Sequence, residues 1–322
     1  MQHSEANDFS VYVGGAKVIE LRDLQKKYGK KGKPVLKGAS FSAADGEIVA
    51  ILGDNGSGKT TMLKCILRLL EYEDGDIFYN DKVIRSIKRR SFYKDFSAVL
   101  EGNRNLYWYM SAEENIKYFG RLKGLGDKEI AKESEKYLKL LNLYDDKDKM
   151  VSEMSRGMQQ KVAIIIALLG HPKVMLLDEP TLGLDVKSKN DLVEALRLLA
   201  KNEKITFLVT SHQLDVIDNM ADRLVLLQDG VTKFDGKVME FKEAYSQGKY
   251  IIRVKGEVKG QSKDYEFLIK DDYTDICLNN YDYDEALNVF DALREEGNEI
   301  ILFQKDICSL EEILLNYKEK EK

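Results

Sequence analysis

The segment Gly53-Asp54-Asn55-Gly56-Ser57-Gly58-Lys59-Thr60 matches the pattern G-x-x-x-x-G-K-[ST] of a phosphate-binding loop. Glycines carry no Cβ, so successive backbone N–H groups of such a loop can close around phosphate oxygens. An apolar stretch at 48–52 precedes the loop, and a helical pattern begins with Thr61. The sequence therefore predicts a strand, a phosphate cradle over residues 53–61, and a helix whose N-terminus lies under the phosphates.

Two side chains of this loop carry specific chemistry. Lys59 is expected to reach the β- and γ-phosphates of a nucleotide and to neutralise their charge. The hydroxyl of Thr60 is expected to bind Mg²⁺. A glycine-rich turn between a strand and a helix can also exist without a ligand, so the functional interpretation depends on partner residues elsewhere in the chain.

The composition is that of an ordinary globular protein. The chain has 322 residues, enough for one large or two modest domains, with 50 Lys and Arg against 55 Asp and Glu. A net charge of −5 does not suggest a nucleic-acid partner, because such proteins usually carry a basic face or domain. Cys65, Cys277 and Cys308 are odd in number and widely spaced, which indicates a reducing cytoplasm rather than a disulfide framework or a metal site.

The sequence predicts no membrane-spanning segment. The best apolar run, 162–169, has 8 residues, whereas a spanning helix needs about 18 or more. Residues 1–8 lack the basic and apolar regions of a signal peptide, and residues 1–17 are interpreted as a polar tail. If the protein acts on a membrane, we expect it to do so through a partner.

Apolar strands alternate with helical patterns through much of the chain. Strand patterns at 174–177 and 205–209 alternate with helical patterns at 156–169 and 188–200. This order predicts a mostly parallel sheet that is covered by helices on both faces. Further strand patterns precede the phosphate loop, at 18–21, 39–42 and 47–52.

Two regions depart from this α/β pattern. Residues 111–149 are helical and charged, and are interpreted as part of a helical insertion that spans about 105–160. Residues 246–322 have the pattern of a small α+β domain, joined by a linker near 246–248. Its predicted elements are strands at 250–254, 266–269 and 299–303 and helices at 283–296 and from Leu310. The predicted divisions of the chain are therefore 1–17, 18–245 and 246–322.

Two carboxylates directly follow the strand pattern at 174–177. Asp178 would lie at the carboxyl end of this strand, next to Mg²⁺ held by the phosphate loop. Glu179 would then be placed to polarise a water for in-line attack on the γ-phosphate. A strand followed by Asp-Glu is often only a solvated loop start. Here the position 119 residues after Lys59 and the following Pro180-Thr181-Leu182-Gly183-Leu184-Asp185 favour the functional interpretation.

Together these motifs resemble the nucleotide-binding subunit of an ABC transporter, over roughly residues 18–240. The segment Met154-Ser155-Arg156-Gly157-Met158-Gln159-Gln160-Lys161 resembles the signature segment of that family and retains Ser155 and Gly157. The resemblance implies that two subunits sandwich ATP head to tail. The signature serine and backbone amides of one subunit would close on the γ-phosphate held by the other. A serine that caps a helix whose positive end points at an anion suits this role.

The resemblance assigns roles to four more residues. Asp185 matches the aspartate that crosses the dimer interface, and His212 matches the switch histidine at the γ-phosphate. Tyr28 matches the aromatic residue that stacks on adenine. Glu101 stands where the family usually has a glutamine for Mg²⁺ and the attacking water, and a carboxylate can also ligate Mg²⁺. The expected metal ligands are Thr60, Glu101 and Asp178.

Other features bear on the branch of the family and on its partner. Arg156 in the signature, followed by Met158, resembles the ABC-2 exporter branch, as does the segment 307–314 near the C-terminus. Residues 106–110 hold the chain's one Trp between two Tyr, and in the family this region grips a coupling helix of the membrane subunit. The alternative is a local hydrophobic cluster that holds the insertion onto the core. The C-terminal domain would support the dimer or regulate it, or act as a passive stabilising lid.

The resemblance implies a P-loop NTPase core of the α/β class, of ABC type, with an antiparallel β subdomain, a helical insertion and a small C-terminal α+β domain. It implies an ATPase that binds ATP and Mg²⁺ as a dimer, with itself or with a sister subunit, at the cytoplasmic face of the cell membrane. Dimer closure would drive export by a separate membrane-spanning subunit, which would choose the cargo.

Two alternatives to the export interpretation stay open. An ABC importer has the same ATPase chemistry. A soluble ABC ATPase acting on ribosomes or DNA is a poorer match, because the chain has one cassette and only 95 residues between Lys59 and Ser155.

Overall fold

The computed structural model describes residues 17–29, 32–100, 106–245, 248–258, 265–270, 272–279, 281–306 and 309–313. The chain forms two compact units that divide between Val238 and Met239. This division falls a few residues before the predicted boundary at 245/246. The predicted linker, apart from Gly248, and nearly all of the predicted polar tail lie outside the described residues.

The first unit alternates strands and helices. Its strands are β1 (Lys17–Lys27), β2 (Pro34–Ala44), β3 (Ile48–Leu52), β4 (Asp74–Tyr79), β5 (Lys82–Val83), β6 (Phe96–Val99), β7 (Val174–Asp178), β8 (Thr206–Thr210), β9 (Arg223–Gln228) and β10 (Val231–Lys237). Its helices are α1 (Lys59–Ile66), α2 (Arg89–Asp95), α3 (Ala112–Leu122), α4 (Asp127–Leu140), α5 (Arg156–Leu168), α6 (Val186–Glu203) and α7 (Leu214–Met220). A further helix, α8 (Val238–Tyr245), begins at the boundary between the units.

A six-stranded sheet in the order β10-β9-β3-β8-β7-β6 forms the centre of the first unit. β3 pairs in parallel with β8 and β9, and β7 pairs in parallel with β6 and β8. Every residue of β3, β7 and β8 is buried, which explains why these strands read as unbroken apolar runs. The predicted mostly parallel sheet is confirmed, with β10 as an antiparallel edge strand.

Both faces of this sheet are covered. In β7, Met175 and Leu177 pack into the hydrophobic cluster on the side of α5 and α6. Val174 and Leu176 pack into a second cluster with α1 and the strands of an antiparallel sheet, β2-β1-β4-β5. Neighbouring residues of a strand point to opposite faces, so one apolar strand serves both clusters. The antiparallel β subdomain of the predicted fold is also confirmed.

The helical insertion between β6 and α5 begins with a capped helix. Ser111 Oγ accepts the backbone N–H of Glu114 at 3.1 Å, and Glu114 Oε2 accepts the backbone N–H of Ser111 at 2.8 Å. This capping box satisfies N–H groups that the first turn of α3 leaves free. The buried Asn115 side chain accepts from the backbone N–H of Tyr107 and donates to its carbonyl oxygen. The segment that enters the insertion is therefore held on α3.

The second unit is a small α+β fold. Its strands are β11 (Lys249–Lys255), β12 (Glu266–Ile269), β13 (Tyr273–Asn279) and β14 (Ile300–Asp306), and the helix α9 (Tyr283–Glu295) precedes β14. The four strands form an antiparallel sheet in the order β12-β13-β11-β14. The sequence did not predict β13, because the buried Asp275 interrupts its apolar pattern. Arg253 of β11 pairs with this carboxylate, with Nε 2.6 Å from Oδ1.

Cys65 in α1 should resist alkylation in the folded protein. Its side chain is 1% exposed, and burial raises the pKa of its thiol to about 11. The reactive thiolate is then scarce at pH 8, and access is blocked as well. We expect iodoacetamide at pH 8 to modify native Cys65 at least about 100-fold more slowly than the urea-unfolded chain, as followed by peptide mass mapping. Similar rates in the two states would contradict the buried position.

Candidate functional site

The phosphate-loop residues connect β3 to α1, as predicted. The loop starts at Gly53, whose φ of 157° is one that residues with a side chain rarely adopt. A Cβ built there would overlap the carbonyl oxygen of Leu227 in β9 and would lie 2.6 Å from Ser57 Oγ. Gly58, at the N-cap of α1, has a φ of 108°. The two glycines thus allow the backbone to turn tightly against the sheet before the helix begins.

The loop has the groups that an anion needs. Asp54, Asn55 and Gly56 are exposed at its tip. The Lys59 ammonium donates to the carbonyl oxygens of Gly53 at 2.7 Å and of Asp54 at 3.1 Å, so it lies over the start of the loop.

Two further groups of this loop suit phosphate oxygens. Ser57 Oγ is buried and has no hydrogen-bond partner. The N-terminus of α1 directs backbone N–H groups toward the same region. A buried unpaired hydroxyl, an ammonium and a helix N-terminus together fit the phosphates of a nucleotide.

Oxygen ligands suited to Mg²⁺ meet beside the loop. Thr60 Oγ1 donates to Asp178 Oδ2 at 3.0 Å, and Asp178 is buried at the carboxyl end of β7. Hydroxyl and carboxylate oxygens are ligands that Mg²⁺ prefers. Among the described residues, no group of three or more His, Cys, Asp or Glu could hold a metal ion. These two residues could hold Mg²⁺ together with phosphate and water oxygens, as is usual for this ion. Glu101 lies outside the described residues.

Glu179 and His212 are brought together at the same edge of the sheet. Glu179 has a left-handed φ of 52°, a conformation that costs a residue with a Cβ about 1–2 kcal/mol. Its backbone N–H donates to the carbonyl oxygen of Thr210 at 3.1 Å. Its Oε2 lies 2.9 Å from Nδ1 of His212, whose side chain is 57% exposed. The second carboxylate is thus aimed out of the sheet edge toward a solvent-accessible imidazole.

Ser155, Gly157 and Asp185 belong to a second group at two neighbouring helix N-termini. Ser155 caps α5 and accepts the backbone N–H of Met158 at 3.2 Å, so the predicted cap is present. Asp185 caps α6 through the backbone N–H of Ser188 at 3.0 Å. That N–H, followed by the Ser188 hydroxyl, holds the pKa of the Asp185 carboxyl below its ordinary value.

Gly157 is where these two helix ends come close. A Cβ at Gly157 would lie 3.2 Å from the hydroxyl oxygen of Ser188. The absence of a side chain at this position therefore lets the start of α5 pack against the start of α6.

Tyr28 lies beside the phosphate loop. Its hydroxyl is 3.2 Å from Thr61 Oγ1, and the residue is 50% exposed. An exposed aromatic ring next to a phosphate loop can stack on a planar base.

Sequence reasoning missed three polar residues of this region. Thr210 contacts the Asp178 carboxylate and the backbone N–H of Glu179, and the Thr181 hydroxyl donates to the side-chain oxygen of Gln213 at 2.8 Å. A signal for Thr210 was present, since a polar residue ends an apolar strand directly before Ser211 and His212. Its contacts depend on the register of β7 and β8, which a single sequence does not reveal.

The sheet and loop define a nucleotide-binding ATPase core of the P-loop, α/β class. A family model described as "ABC transporter" matches residues 36–182. The ABC transporter ATP-binding protein NatA of Bacillus subtilis (strain 168) is 36% identical over 233 residues, which cover 70% of this chain and 92% of that protein. The chain therefore belongs to the ATP-binding proteins of the ABC transporter family, and it is an ATPase of that family.

Other similar proteins include a solved dimeric cassette and three proteins named for import. A dimeric ATP-binding cassette, described as a post-hydrolysis state bound to ADP and Pi, is 27% identical with a TM-score of 0.61, over 68% of this chain and 98% of that one. The phosphonates import ATP-binding protein of Treponema denticola is 32% identical over 230 residues, which cover 68% of this chain and 89% of that protein. Relatives in Mycoplasma capricolum and Bacillus cereus are named as spermidine/putrescine and methionine import ATP-binding proteins. In the part of this chain that the structure describes, no helix is both long and apolar enough to cross a membrane.

Proposed function

We propose that this chain is the ATP-hydrolysing subunit of an ABC transporter and that it acts with a separate membrane-spanning subunit at the cytoplasmic face of the membrane. The observation that carries the proposal is the meeting of three parts at the carboxyl ends of neighbouring parallel strands. These parts are the phosphate loop after β3, the carboxylates at the end of β7, and His212 after β8. In α/β proteins with an open sheet, ligands bind outside the carboxyl ends of the strands.

Each residue of the site has its own proposed role in ATP hydrolysis. Lys59 neutralises charge on the β- and γ-phosphates held by residues 53–61. Thr60 and Asp178 would hold Mg²⁺, which when bound offsets negative charge on the phosphate oxygens. Glu179 takes a proton from the attacking water. His212 contacts this base and would also contact the γ-phosphate. Glu101 is proposed as a further ligand, and Tyr28 as the residue on which adenine stacks.

We propose a dimer in which each site is completed by the other subunit. The capped N-terminus of α5 carries a partial positive charge and would close on the γ-phosphate bound by the partner. Ser155 and Gly157 would supply this contact, with Asp185 beside them. The related cassette bound to ADP and Pi is dimeric, which supports this arrangement. The partner is a second copy of the chain or a sister subunit.

An aromatic surface at the entrance of the insertion is proposed to bind the membrane subunit. Trp108 is 52% exposed and Tyr109 is 74% exposed. The Tyr107 and Tyr118 rings meet edge to face at 5.0 Å beneath the same segment. Part of this cluster therefore holds the insertion together, and part of it is available to a partner helix. Aromatic side chains are enriched at such interfaces.

The direction of transport rests on separate observations. The sequence predicts export because Arg156 and the C-terminal domain resemble the ABC-2 exporter branch. The relatives named for phosphonates, spermidine/putrescine and methionine are import proteins, and they favour import over that prediction.

The proposal is tested by purifying the chain in mild detergent from its native membranes and identifying what co-elutes. We expect a polytopic membrane protein whose recovery with the chain is reduced when Trp108 and Tyr109 are both replaced by Ala. Recovery of ribosomes or DNA factors without a membrane protein would contradict the transporter assignment and leave the ATPase chemistry intact. The purified complex in vesicles, with ATP on the side of this subunit, then decides between cargo uptake and cargo release.

A further inference from the structure

Thr210 lies at the carboxyl end of β8, beside Asp178 and Glu179. It is fully buried and is the register partner of Asp178 in the parallel pair of β7 and β8. Its hydroxyl donates to Asp178 Oδ1 at 2.5 Å. The same oxygen accepts the backbone N–H of Glu179 at 3.1 Å. One buried hydroxyl group therefore contacts the two residues on which the proposed chemistry depends.

The neighbours of the Thr210 hydroxyl determine which hydrogen bond it donates and which it accepts. A carboxylate can only accept and a backbone N–H can only donate, so the Thr210 proton points to Asp178 and a lone pair points to Glu179. Thr60 donates to the other oxygen of the Asp178 carboxylate, Oδ2, at 3.0 Å. The carboxylate is thus held from both sides, with Oδ1 on β8 and Oδ2 on the phosphate loop.

The second contact of Thr210 acts on the backbone. Glu179 has a φ of 52°, which is unfavourable for a residue with a Cβ. Its N–H is shared between the carbonyl oxygen and the hydroxyl oxygen of Thr210, both at 3.1 Å. Two acceptors on one residue oppose rotation of this peptide. They help to keep the Glu179 side chain directed toward His212, 2.9 Å away.

We infer that Thr210 is a positioning residue for hydrolysis, whose hydroxyl orients Asp178 for Mg²⁺ and keeps Glu179 aimed at the attacking water. The inference rests on the proposed function of this site. Thr210 acts through the two carboxylate residues, so its loss should alter metal-dependent binding and turnover rather than the affinity for ATP without metal.

Strand β8 offers a matched control at its other end. Thr206 is also fully buried, and its hydroxyl donates to the carbonyl oxygen of Ala44 at 2.8 Å. The same oxygen accepts the backbone N–H of Gly46 at 3.1 Å. The residue type, the strand and the burial are therefore the same, and each hydroxyl donates one hydrogen bond and accepts one. Thr206 differs in that it donates to a backbone carbonyl and contacts neither Asp178 nor Glu179. Removing either hydroxyl should destabilise the fold, and the loss should be larger at Thr210 because its acceptor is a charged carboxylate.

The test compares Thr210→Val and Thr206→Val in the full chain, together with any membrane subunit that co-purifies. The measurements are kcat and KM for ATP, the Kd for ATP with Mg²⁺ and with EDTA, and Tm. For Thr210→Val we expect kcat and the Mg²⁺-dependent gain in ATP affinity each to fall about tenfold or more. The Kd in EDTA should change less than about twofold. Thr206→Val should keep kcat and the metal effect within about twofold, although its Tm should also fall.

Thr210→Ser and Thr210→Ala form a second pair, which decides the matter even when the Val variant does not fold. Both lack the methyl group, and they differ in the hydroxyl alone. We expect Ser to keep kcat within about threefold of wild type and Ala to lose about tenfold or more. Wild-type turnover and metal dependence in the Ala or Val variant, or equal losses in Thr206→Val, would overturn the inference alone. A wild-type chain that neither binds nor hydrolyses ATP would overturn the proposed function with it.

Discussion

Replacing Glu179 by Gln is expected to slow ATP hydrolysis by at least about 100-fold while leaving the Kd for ATP within about threefold. The amide keeps the size of the side chain but cannot accept a proton from the attacking water. The left-handed backbone at Glu179 and the bond to the Thr210 carbonyl do not depend on the carboxylate, so the local fold should persist. Because ATP binds and is not consumed, closed dimers should accumulate, as measured by size-exclusion chromatography with ATP and Mg²⁺.

Glu129→Gln is the control for this substitution. Glu129 is exposed on the first turn of α4, so the same loss of charge should leave kcat within about twofold. Unchanged turnover in the Glu179 variant would remove this residue as the base. Loss of ATP binding would show instead that the carboxylate supports the site rather than the chemical step.

Gly53→Ala should abolish nucleotide binding. The added Cβ would overlap the Leu227 carbonyl oxygen, and backbone atoms on a sheet strand cannot move aside as a flexible side chain can. The start of the phosphate loop must shift, and with it the carbonyl oxygens that receive Lys59. We expect the Kd for ATP to rise at least about 100-fold. The free energy of unfolding should fall by about 2 kcal/mol or more, as measured by calorimetry and urea titration.

Gly124→Ala separates backbone strain from this clash. Gly124 also has a positive φ, 84°, but a Cβ there meets no atom within 4 Å. The substitution Gly124→Ala should therefore lower the free energy of unfolding by about 1 kcal/mol and leave ATP binding unchanged. Normal ATP binding by Gly53→Ala would mean that the loop adjusts to the side chain and that its close approach to β9 is not required.

The sequence was most informative where one residue type has one physical use. The glycines of the loop, the lysine after them and the carboxylates at the end of an apolar strand could be assigned before any coordinates. The predicted cap of Ser155 at the start of α5 is present. Continuous apolar runs predicted β3, β7 and β8 because strands covered on both faces need no polar alternation.

The sequence was least informative where a partner strand decides the outcome. The strands β9 and β13 each include a charged residue that becomes buried only because another strand supplies the opposite charge. Arg223 in β9 pairs with Asp235, and Asp275 in β13 pairs with Arg253. Asp275 interrupts the apolar pattern of β13, whereas Arg223 precedes the apolar run of β9, and neither partner is evident from one sequence. The contacts of Thr210 were missed for the related reason that they arise from strand register.

The sheet order has a consequence for how the protein is made. β3, which leads into the phosphate loop, pairs only with β8 and β9 among the described strands, and these begin at Thr206 and Arg223. During synthesis, β3 therefore leaves the ribosome with no sheet neighbour for the next 154 residues (206 − 52). At about 5–20 residues per second, this wait lasts roughly 8 to 30 s. During this time, the five apolar residues of β3 form a strand whose backbone hydrogen-bonding groups are unpaired on both edges. The nascent chain therefore needs protection from aggregation until β8 is complete.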